Sequence, residues 1–172
     1  SSDLAGGLKC WGDDFYGQLG DGETLVVRTS PVTAAVSGTV VDVATTSSST
    51  CVVVDTGVVT CWGDNFYGQL GDGTYIAHTA ASPATQVSAA SAIVSGGESY
   101  CATTAVGTLE CWGDDYYGQL GDGTTGTVST PDTVDLPAGS VATGIGVGNS
   151  HACAVLATGR LACWGTNSDG EL

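Results

Sequence analysis

Short runs of alternating hydrophobic and polar residues, rich in valine, threonine and alanine, dominate the chain, and glycines separate them. Alternation with a period of two is typical of β-strands, and no stretch has the apolar spacing of a long amphipathic helix. One run in each unit contains a proline, which suits a strand near a sheet edge. These prolines are Pro31, Pro83 and Pro131. The pattern predicts an all-β protein built from short antiparallel strands.

A repeated string divides these strands into units. CWGDDFYGQLGDG occupies residues 10–22 and returns almost unchanged at 61–73 and 111–123, and a fourth copy beginning at Cys163 reads CWGTNSDGEL. Four short strands per unit of about fifty residues are the signature of a β-propeller blade. A linear β-solenoid is the alternative, although its coils are usually shorter.

The repeats suggest how one repeat domain, residues 1–172, is organised. We expect residues 1–12 to supply the last strands of an incomplete blade, and residues 166–172 to begin a truncated repeat. Residues 13–63, 64–113 and 114–165 would form one blade each. The chain would thus hold about three complete four-stranded antiparallel blades plus one extra strand, as a partial or half ring. We expect it to be a fragment, a half ring that pairs, or an open-ended assembly unit.

Each repeated string is predicted to be a structural joint between blades. Its glycines allow tight backbone turns, its glutamine satisfies backbone groups of the loop, and its leucine packs between blades. Its tryptophan buries a large apolar surface at the same junction. The glutamines are Gln18, Gln69 and Gln119, and the leucines are Leu19, Leu70 and Leu120.

Six of the seven cysteines form pairs ten residues apart, with a glycine after the midpoint of each. The pairs are Cys51 with Cys61, Cys101 with Cys111, and Cys153 with Cys163. The glycine supplies the positive φ that a three-residue hairpin loop needs, so the two cysteines would face each other within disulfide reach. We predict three disulfides and an oxidising, extracellular or cell-surface location. Free thiols are the alternative, and the lack of C-x-x-C argues against metal ligation.

Cys10 has no partner of this kind. Counting back ten residues reaches the position just before Ser1, and Gly6 stands where the hairpin glycine belongs. Two explanations are open: the partner belongs to residues upstream, or Cys10 pairs with another chain. We expect the first, because the C-terminus also ends inside a repeated motif.

Charge narrows the range of partners. The chain carries 18 acidic residues against three basic ones, a net charge of -15. Such a charge repels phosphate backbones and anionic lipids, so we expect no nucleic-acid partner. The absence of an apolar run of about 18 residues also predicts no membrane span. The acidity serves either solubility or cation binding.

The phrase G-x-[LV]-x-C-W-G-[DT]-[DN]-x-[YD]-G-[QE]-L closely resembles the regulator of chromosome condensation repeat family, and it recurs along essentially the whole chain. GNSHACAV at residues 148–155 resembles a further family segment, although Ser49 and Ser99 replace His151 in the other units. The resemblance implies a seven-bladed propeller of roughly 350 residues. Family members include a chromatin-bound nucleotide exchange factor, a secreted bacterial inhibitor of β-lactamases, and bacterial surface proteins. Acidity and paired cysteines make this chain similar to the secreted bacterial type.

No arrangement typical of catalysis stands out. His78 and His151 occupy unrelated positions, and the sequence contains no G-x-S-x-G, phosphate loop or H-E-x-x-H motif. We therefore predict that the chain is not an enzyme and needs no cofactor. The acidic loops are calcium candidates, because hard cations prefer several oxygen ligands, but turn capping explains the same residues. These candidates are Asp13, Asp14, Asp21, Asp64, Asn65, Asp72, Asp114, Asp115 and Asp122.

A pair of aromatic residues recurs in each loop. The first member of each pair could project onto one face and form a protein-binding surface, or it could be a buried loop anchor. These first members are Phe15, Phe66 and Tyr116. We predict a non-catalytic, secreted or cell-surface propeller module that binds or scaffolds proteins. The alternatives are a self-assembling, filament-type subunit and an inhibitor of a secreted enzyme.

Overall fold

The computed structural model describes residues 7–83, 87 and 89–172, which contain thirteen strands and no helix. The strands are β1 (Lys9–Asp14), β2 (Val26–Thr33), β3 (Val40–Thr45), β4 (Ser49–Val54), β5 (Val59–Gly63), β6 (His78–Pro83), β7 (Ala90–Gly96), β8 (Ser99–Thr104), β9 (Leu109–Asp115), β10 (Gly126–Thr133), β11 (Ala142–Val147), β12 (His151–Leu156) and β13 (Leu161–Gly165). The described part of the chain contains no helix that could span a membrane.

The strands form four antiparallel sheets in chain order. The first sheet pairs β1 with β2, the second contains β3–β6, the third contains β7–β10, and the fourth contains β11–β13. Neighbours in sequence are neighbours in each sheet, so every blade is an up-and-down meander. The prediction of an all-β protein with four-stranded antiparallel blades is confirmed, and the arrangement is open rather than closed into a ring.

Sheet boundaries are offset from the predicted units. Residues 13–63 contribute β2 to the first sheet and β3, β4 and β5 to the second. The strand that follows each repeated loop turns back onto the strand before the loop and completes the preceding blade. The described strands therefore make two complete four-stranded sheets between a two-stranded and a three-stranded sheet. Their total of thirteen equals three four-stranded blades plus one strand.

The proline-containing strands β2, β6 and β10 lie at sheet edges. Each pairs with its neighbour across a register shift, as between Val128 and Asp132 of β10. An edge tolerates proline because the missing amide proton is not needed by a further strand.

The cysteine pairs lie directly opposite each other in the central hairpins. Cys51 faces Cys61 in the β4–β5 register, and the other two pairs repeat this arrangement. The Cα atoms of each pair are 4.1 Å apart and the sulfurs are bonded, so the geometry fits three disulfides. The hairpin turn has Gly57 at φ +80°, a backbone conformation that residues other than glycine rarely adopt.

Cys10 is half-buried and is not in a disulfide among the described residues. Gly6, which was predicted to occupy the hairpin turn before it, lies outside the described residues. The structure therefore leaves both explanations for Cys10 open.

The core lies between successive sheets. Trp112 is fully buried and stacks on Tyr100, with ring centroids 6.0 Å apart. The hydroxyl of Tyr100 hydrogen-bonds Ser49 of the preceding sheet at 2.9 Å. The first strands of the blades, β3, β7 and β11, pack on one another, and the Ile93 amide donates to the Asp42 carboxylate at 2.9 Å. Apolar burial and a few specific hydrogen bonds thus hold each blade against the next.

Candidate functional site

Three loops of nearly identical sequence project from one end of the blades. We call residues 13–25, 64–76 and 114–126 the first, second and third loops. They begin at the C-terminal ends of β1, β5 and β9, whereas the disulfide hairpin turns precede β5 and β9. Loops and hairpin turns therefore lie at opposite ends of the blades.

Two internal hydrogen bonds shape every loop in the same way. The glutamine side chain accepts from the backbone amide two residues earlier, as Gln69 does from Tyr67 at 2.8 Å. The second acidic or amide residue accepts from the leucine amide five residues later, as Asn65 does from Leu70 at 3.0 Å. The other two loops contain the same pair of bonds. The predicted role of the glutamines in satisfying loop backbone groups is therefore seen directly.

Each loop is also joined to the following blade through a tryptophan. Trp62 Nε1 donates to the Gln18 carbonyl at 2.9 Å, and Trp112 and Trp164 bond Gln69 and Gln119 in the same way. The glycine after the leucine makes room for the indole, since a Cβ on Gly20 would lie 2.6 Å from Trp62 Nε1. The repeated string is thus a joint that holds its loop rigidly against the next sheet.

The first aromatic residue of each loop points away from this joint. Phe15, Phe66 and Tyr116 are 52%, 72% and 73% exposed, so they are not buried anchors. Each ring packs edge-to-face against the tyrosine that follows it, with centroids 4.9–5.0 Å apart. We call these three exposed residues the aromatic row. Each ring of the row therefore has one aromatic contact, with the tyrosine beside it in its own loop.

A groove lies between the second and third loops. It has a volume of about 300 Å³ and is lined by Tyr67, Asp114, Tyr116, Tyr117, Gly126 and Thr127. The Tyr75 hydroxyl reaches across to the Thr127 carbonyl at 3.4 Å. The groove combines aromatic walls with a carboxylate, a lining that suits a side chain carrying both apolar and basic groups.

The nine calcium candidates separate into two sets. Asp64 and Asp114 accept from the amides of Gln69 and Gln119 at 3.2 and 3.1 Å, and Asp13 is exposed at the matching position. The remaining six form one facing pair in each loop. These pairs are Asp14 with Asp21, Asn65 with Asp72, and Asp115 with Asp122. In the part of the chain that the structure describes, no three acidic, histidine or cysteine side chains converge as metal ligands.

Two basic residues that sequence reasoning did not assign to these loops contact the acidic side chains of the first two pairs. Arg28 forms salt bridges with Asp21 at 2.7 Å and with Glu23 at 3.0 Å. His78 Nε2 lies 2.8 Å from Asp72 Oδ2. Arg28 and His78 occupy equivalent positions, each opposite the glycine that follows the tryptophan. An alignment of the repeat units on that glycine would have identified Arg28 and His78 from the sequence.

The carboxylates respond to these surroundings. The Glu23 amide and the Arg28 guanidinium hold the pKa of Asp21 below its usual value. Burial, and then the facing Asp21, raise the pKa of Asp14 despite the hydrogen bond from Leu19. Burial raises the pKa of Asp115 to about 6, and repulsion from Asp122 and Asp114 adds to this shift, against the Leu120 amide.

Glu98 is a further polar residue at the blade junction that sequence reasoning missed. Its carboxylate accepts from the hydroxyls of Ser47 and Ser48, the latter at 2.9 Å, and from Gln69 Nε2 at 3.3 Å. The sequence does mark this residue, because Glu98 is acidic where the other units have Ser48 and Ser150. Glu98 therefore links the second and third sheets at the loop end.

Solved structures of known proteins share this arrangement. Human WBSCR16 superposes with a TM-score of 0.81 at 21% identity, over 95% of this chain and 44% of that protein. Yeast RCC1 (Prp20), in a complex with Kap60, gives 0.80 at 22% identity over 95% and 38%. Prp20p from Saccharomyces cerevisiae in a further structure gives 0.81 at 21% over 95% and 40%. At such identities the likeness shows the fold, and the chain spans less than half the length of these proteins.

Sequence models of one repeat family match most of the units. The regulator of chromosome condensation (RCC1) repeat matches residues 40–69 and 142–171, and a second model of the same repeat matches residues 107–155. Together these matches cover more than half of the chain and include the tryptophan joints at Trp62, Trp112 and Trp164. The chain therefore belongs to the RCC1 repeat family, as its repeated string predicted.

Proposed function

We propose that this chain is a non-catalytic protein-binding module of a secreted or cell-surface protein, and that the aromatic row is its contact surface. The observation that carries the proposal is the exposure of Phe15, Phe66 and Tyr116 at the same position of three rigid loops. Large aromatic rings that are already ordered contribute contact area on binding at little entropic cost. Single exposed rings are common on surfaces, whereas these three recur at one position of three successive loops at the same end of the blades.

The charge of the loop end indicates the chemistry of the partner. Asp13, Asp64 and Asp114 each precede the aromatic row by two residues, and the whole chain carries a net charge of -15. An acidic rim around apolar anchors complements a partner surface with lysine or arginine around an apolar patch. We therefore expect binding that weakens as ionic strength rises.

Relatives of the same fold support a binding role. Yeast RCC1 (Prp20) forms a complex with Kap60, and binding of Prp20p to Gsp1p and histones has been studied. The three cysteine pairs at disulfide distance favour an oxidising compartment for this chain. We therefore infer an extracellular protein partner for this chain.

Selection of peptide ligands tests this assignment. A random display library is panned against the whole chain, and the selected peptides are titrated against the variant Phe15→Ser/Phe66→Ser/Tyr116→Ser. We expect a loss of affinity of at least about tenfold, the scale of interface hot spots. The matched control Val58→Ser/Val106→Ser changes residues that are 44% and 75% exposed at the opposite, hairpin end. Ligands that bind the aromatic variant as tightly as the parent chain, or that fail equally on the control, would remove the proposal.

Self-association is a second candidate, favoured by apolar residues on edge strands of the two end sheets. Trp11 of β1 is 64% exposed and Leu161 of β13 is 68% exposed. Unpaired strand edges with apolar side chains are prone to pair with other chains. Sedimentation velocity across a range of concentrations distinguishes the two. Oligomers that disappear in the double variant Trp11→Ser/Leu161→Ser would favour assembly, and a monomer throughout would favour the binding module.

A further inference from the structure

Each of the three loops buries one polar side chain at the same position. Asp14, Asn65 and Asp115 occupy the same position, and all three are fully buried. In each, one oxygen accepts a hydrogen bond from the leucine amide at 2.8–3.0 Å. The other terminal atom of the side chain should therefore have similar surroundings in all three loops. This atom is Nδ2 in Asn65 and Oδ2 in Asp14 and Asp115.

The second loop shows what that second atom faces. Asn65 Nδ2 donates to the Thr74 and Ile76 carbonyls, both at 3.1 Å. It also lies 3.3 Å from Asp72 Oδ1 and 3.3 Å from the Thr74 hydroxyl. The position is surrounded by oxygen atoms, and the amide of Asn65 supplies the donors that they require.

An aspartate at this position brings one more oxygen to a set of acceptors. Oδ2 of Asp14 and Oδ2 of Asp115 are both buried and have no hydrogen-bond partner. A buried carboxylate oxygen without a donor is costly, and such atoms in native proteins usually have a proton, an ion or a water beside them. Each of these two oxygens therefore has an unfilled place for a proton, an ion or a water.

The first loop has a counterion of its own, and the third does not. Arg28, opposite Gly12, bonds the Asp21 carboxylate that faces Asp14. The residue opposite Gly113 in the third loop is Val128. Among the described residues, the hydrogen bonds found for the Asp122 carboxylate come from Thr124 alone.

We propose that the third loop binds a hard divalent cation, such as calcium, between Asp115 and Asp122. By correspondence with the second loop, the carbonyl oxygens of Thr124 and Gly126 complete the protein ligands. Asp122 is partly exposed and Thr124 is exposed, which leaves room for water ligands. Two carboxylates and two carbonyls are an oxygen set that calcium prefers over transition metals.

Spacing supports a cation of this size. Neighbouring oxygens bound to one calcium ion at about 2.4 Å lie roughly 3.1–3.4 Å apart when they subtend a near-right angle. The separations around the equivalent atom of Asn65 are 3.1–3.3 Å. A third loop with the spacing of the second loop would need little rearrangement to accept the ion. With two charged ligands, we expect an affinity of the order of 10⁻⁴–10⁻³ M, as in extracellular calcium modules.

The test is calorimetric titration of calcium chloride into the whole chain after EDTA treatment. We expect one site per chain and its loss, by at least about tenfold in affinity, in the variant Asp115→Asn. Asn65 shows that asparagine fits this loop, so the variant keeps its fold, which circular dichroism checks. The matched control Asp14→Asn removes the same oxygen in the loop where Arg28 bonds the facing Asp21 carboxylate, and it should bind calcium as the parent does.

A second variant tests the counterion argument. Val128→Arg places beside the third loop the basic residue that the first loop has, so it should weaken calcium binding. Because Val128 is partly buried against the core, circular dichroism checks the fold of this variant. Absence of saturable heat in the parent chain would overturn the proposal. So would calcium binding by Asp115→Asn at the parent's affinity. Stabilisation by Asp115→Asn without any response to calcium would also overturn it, because Asp115 would then hold a proton and not a metal.

Discussion

The indole Nε1 of Trp112 donates a hydrogen bond to the backbone carbonyl of Gln69 across 2.9 Å. Trp112 belongs to β9 of the third sheet, whereas Gln69 lies in the loop that leaves the second sheet. The bond therefore connects one blade to the second loop, which leaves the blade before it. Because the acceptor is a backbone atom, the connection depends on the conformation of the loop rather than on the glutamine side chain.

Trp112→Phe should weaken this connection. Loss of the buried hydrogen bond, together with the space left by the smaller ring, should lower the free energy of unfolding by about 1–3 kcal/mol. The midpoint of guanidinium unfolding, followed by circular dichroism, measures the effect. Trp11→Phe is the matched control, because Trp11 is 64% exposed and should tolerate the change. Equal shifts in the two variants would show that the joint is not the source of stability.

Gly71→Ala should disturb the same joint from the loop side. Gly71 has φ +66°, and a Cβ there would lie 2.9 Å from Trp112 Nε1. Gly123→Ala is the control, since φ is +82° but nothing lies within 4 Å of its Cβ. Both variants lose about 1 kcal/mol to backbone strain, and Gly71→Ala should lose a further 1–3 kcal/mol or so to the clash. Thermal unfolding of the two variants, measured in parallel, provides the test. Equal midpoints for Gly71→Ala and Gly123→Ala would contradict this account.

The cysteine pairing predicts a thiol count. Alkylation of the unreduced, denatured chain should modify Cys10 alone, and reduction should make all seven cysteines reactive. Intact mass spectrometry reads both numbers. Removing one bridge with Cys101→Ala/Cys111→Ala should cost about 2–3 kcal/mol, the value for a short closed loop. Recovery of free thiols at 51 and 61 without reductant would disprove the pairing.

Acid should reveal the contribution of Asp72. Burial acts to raise its pKa, but hydrogen bonds from Thr74 and His78 outweigh burial and hold the pKa below the ordinary value of 3.8. A depressed pKa in the folded state means that the ionised group stabilises the fold above the unfolded pKa, and that this stability disappears as pH falls through the folded pKa.

The variant Asp72→Asn isolates that contribution. At about pH 6 the parent should be more stable than the variant, and at about pH 2.5 the two should converge. Urea unfolding midpoints at both values provide the measurement. A stability difference that stayed constant from neutral to acid pH would mean that the charge of Asp72 has no part in it.

Local features of the fold could be predicted from the sequence. The strands of the disulfide hairpins follow from alternation, from two cysteines ten residues apart and from a glycine such as Gly57 near their midpoint. These contacts join residues close in the chain, so a short window contains all the information that they need. The edge position of the proline-containing strands followed from one missing amide proton.

The relation between units could not be predicted in the same way. Alternation identifies β2 as a strand but does not say that it pairs back with β1 instead of with β3. The choice depends on how the repeated loop reverses the chain, which its internal hydrogen bonds decide. For the same reason, the predicted unit 13–63 and the observed sheets are offset.

The sequence by itself determined what each unit is: an antiparallel meander with a cysteine-bridged hairpin and a glycine-rich loop, repeated along the chain. Only the tertiary structure decided what each copy of a repeated residue does. Trp62 is fully buried where Trp11 is largely exposed, and Asp115 lacks the counterion that Arg28 provides beside Asp14. The physical reason is that burial and charge depend on neighbours from other blades and strands, which identical local sequence does not encode.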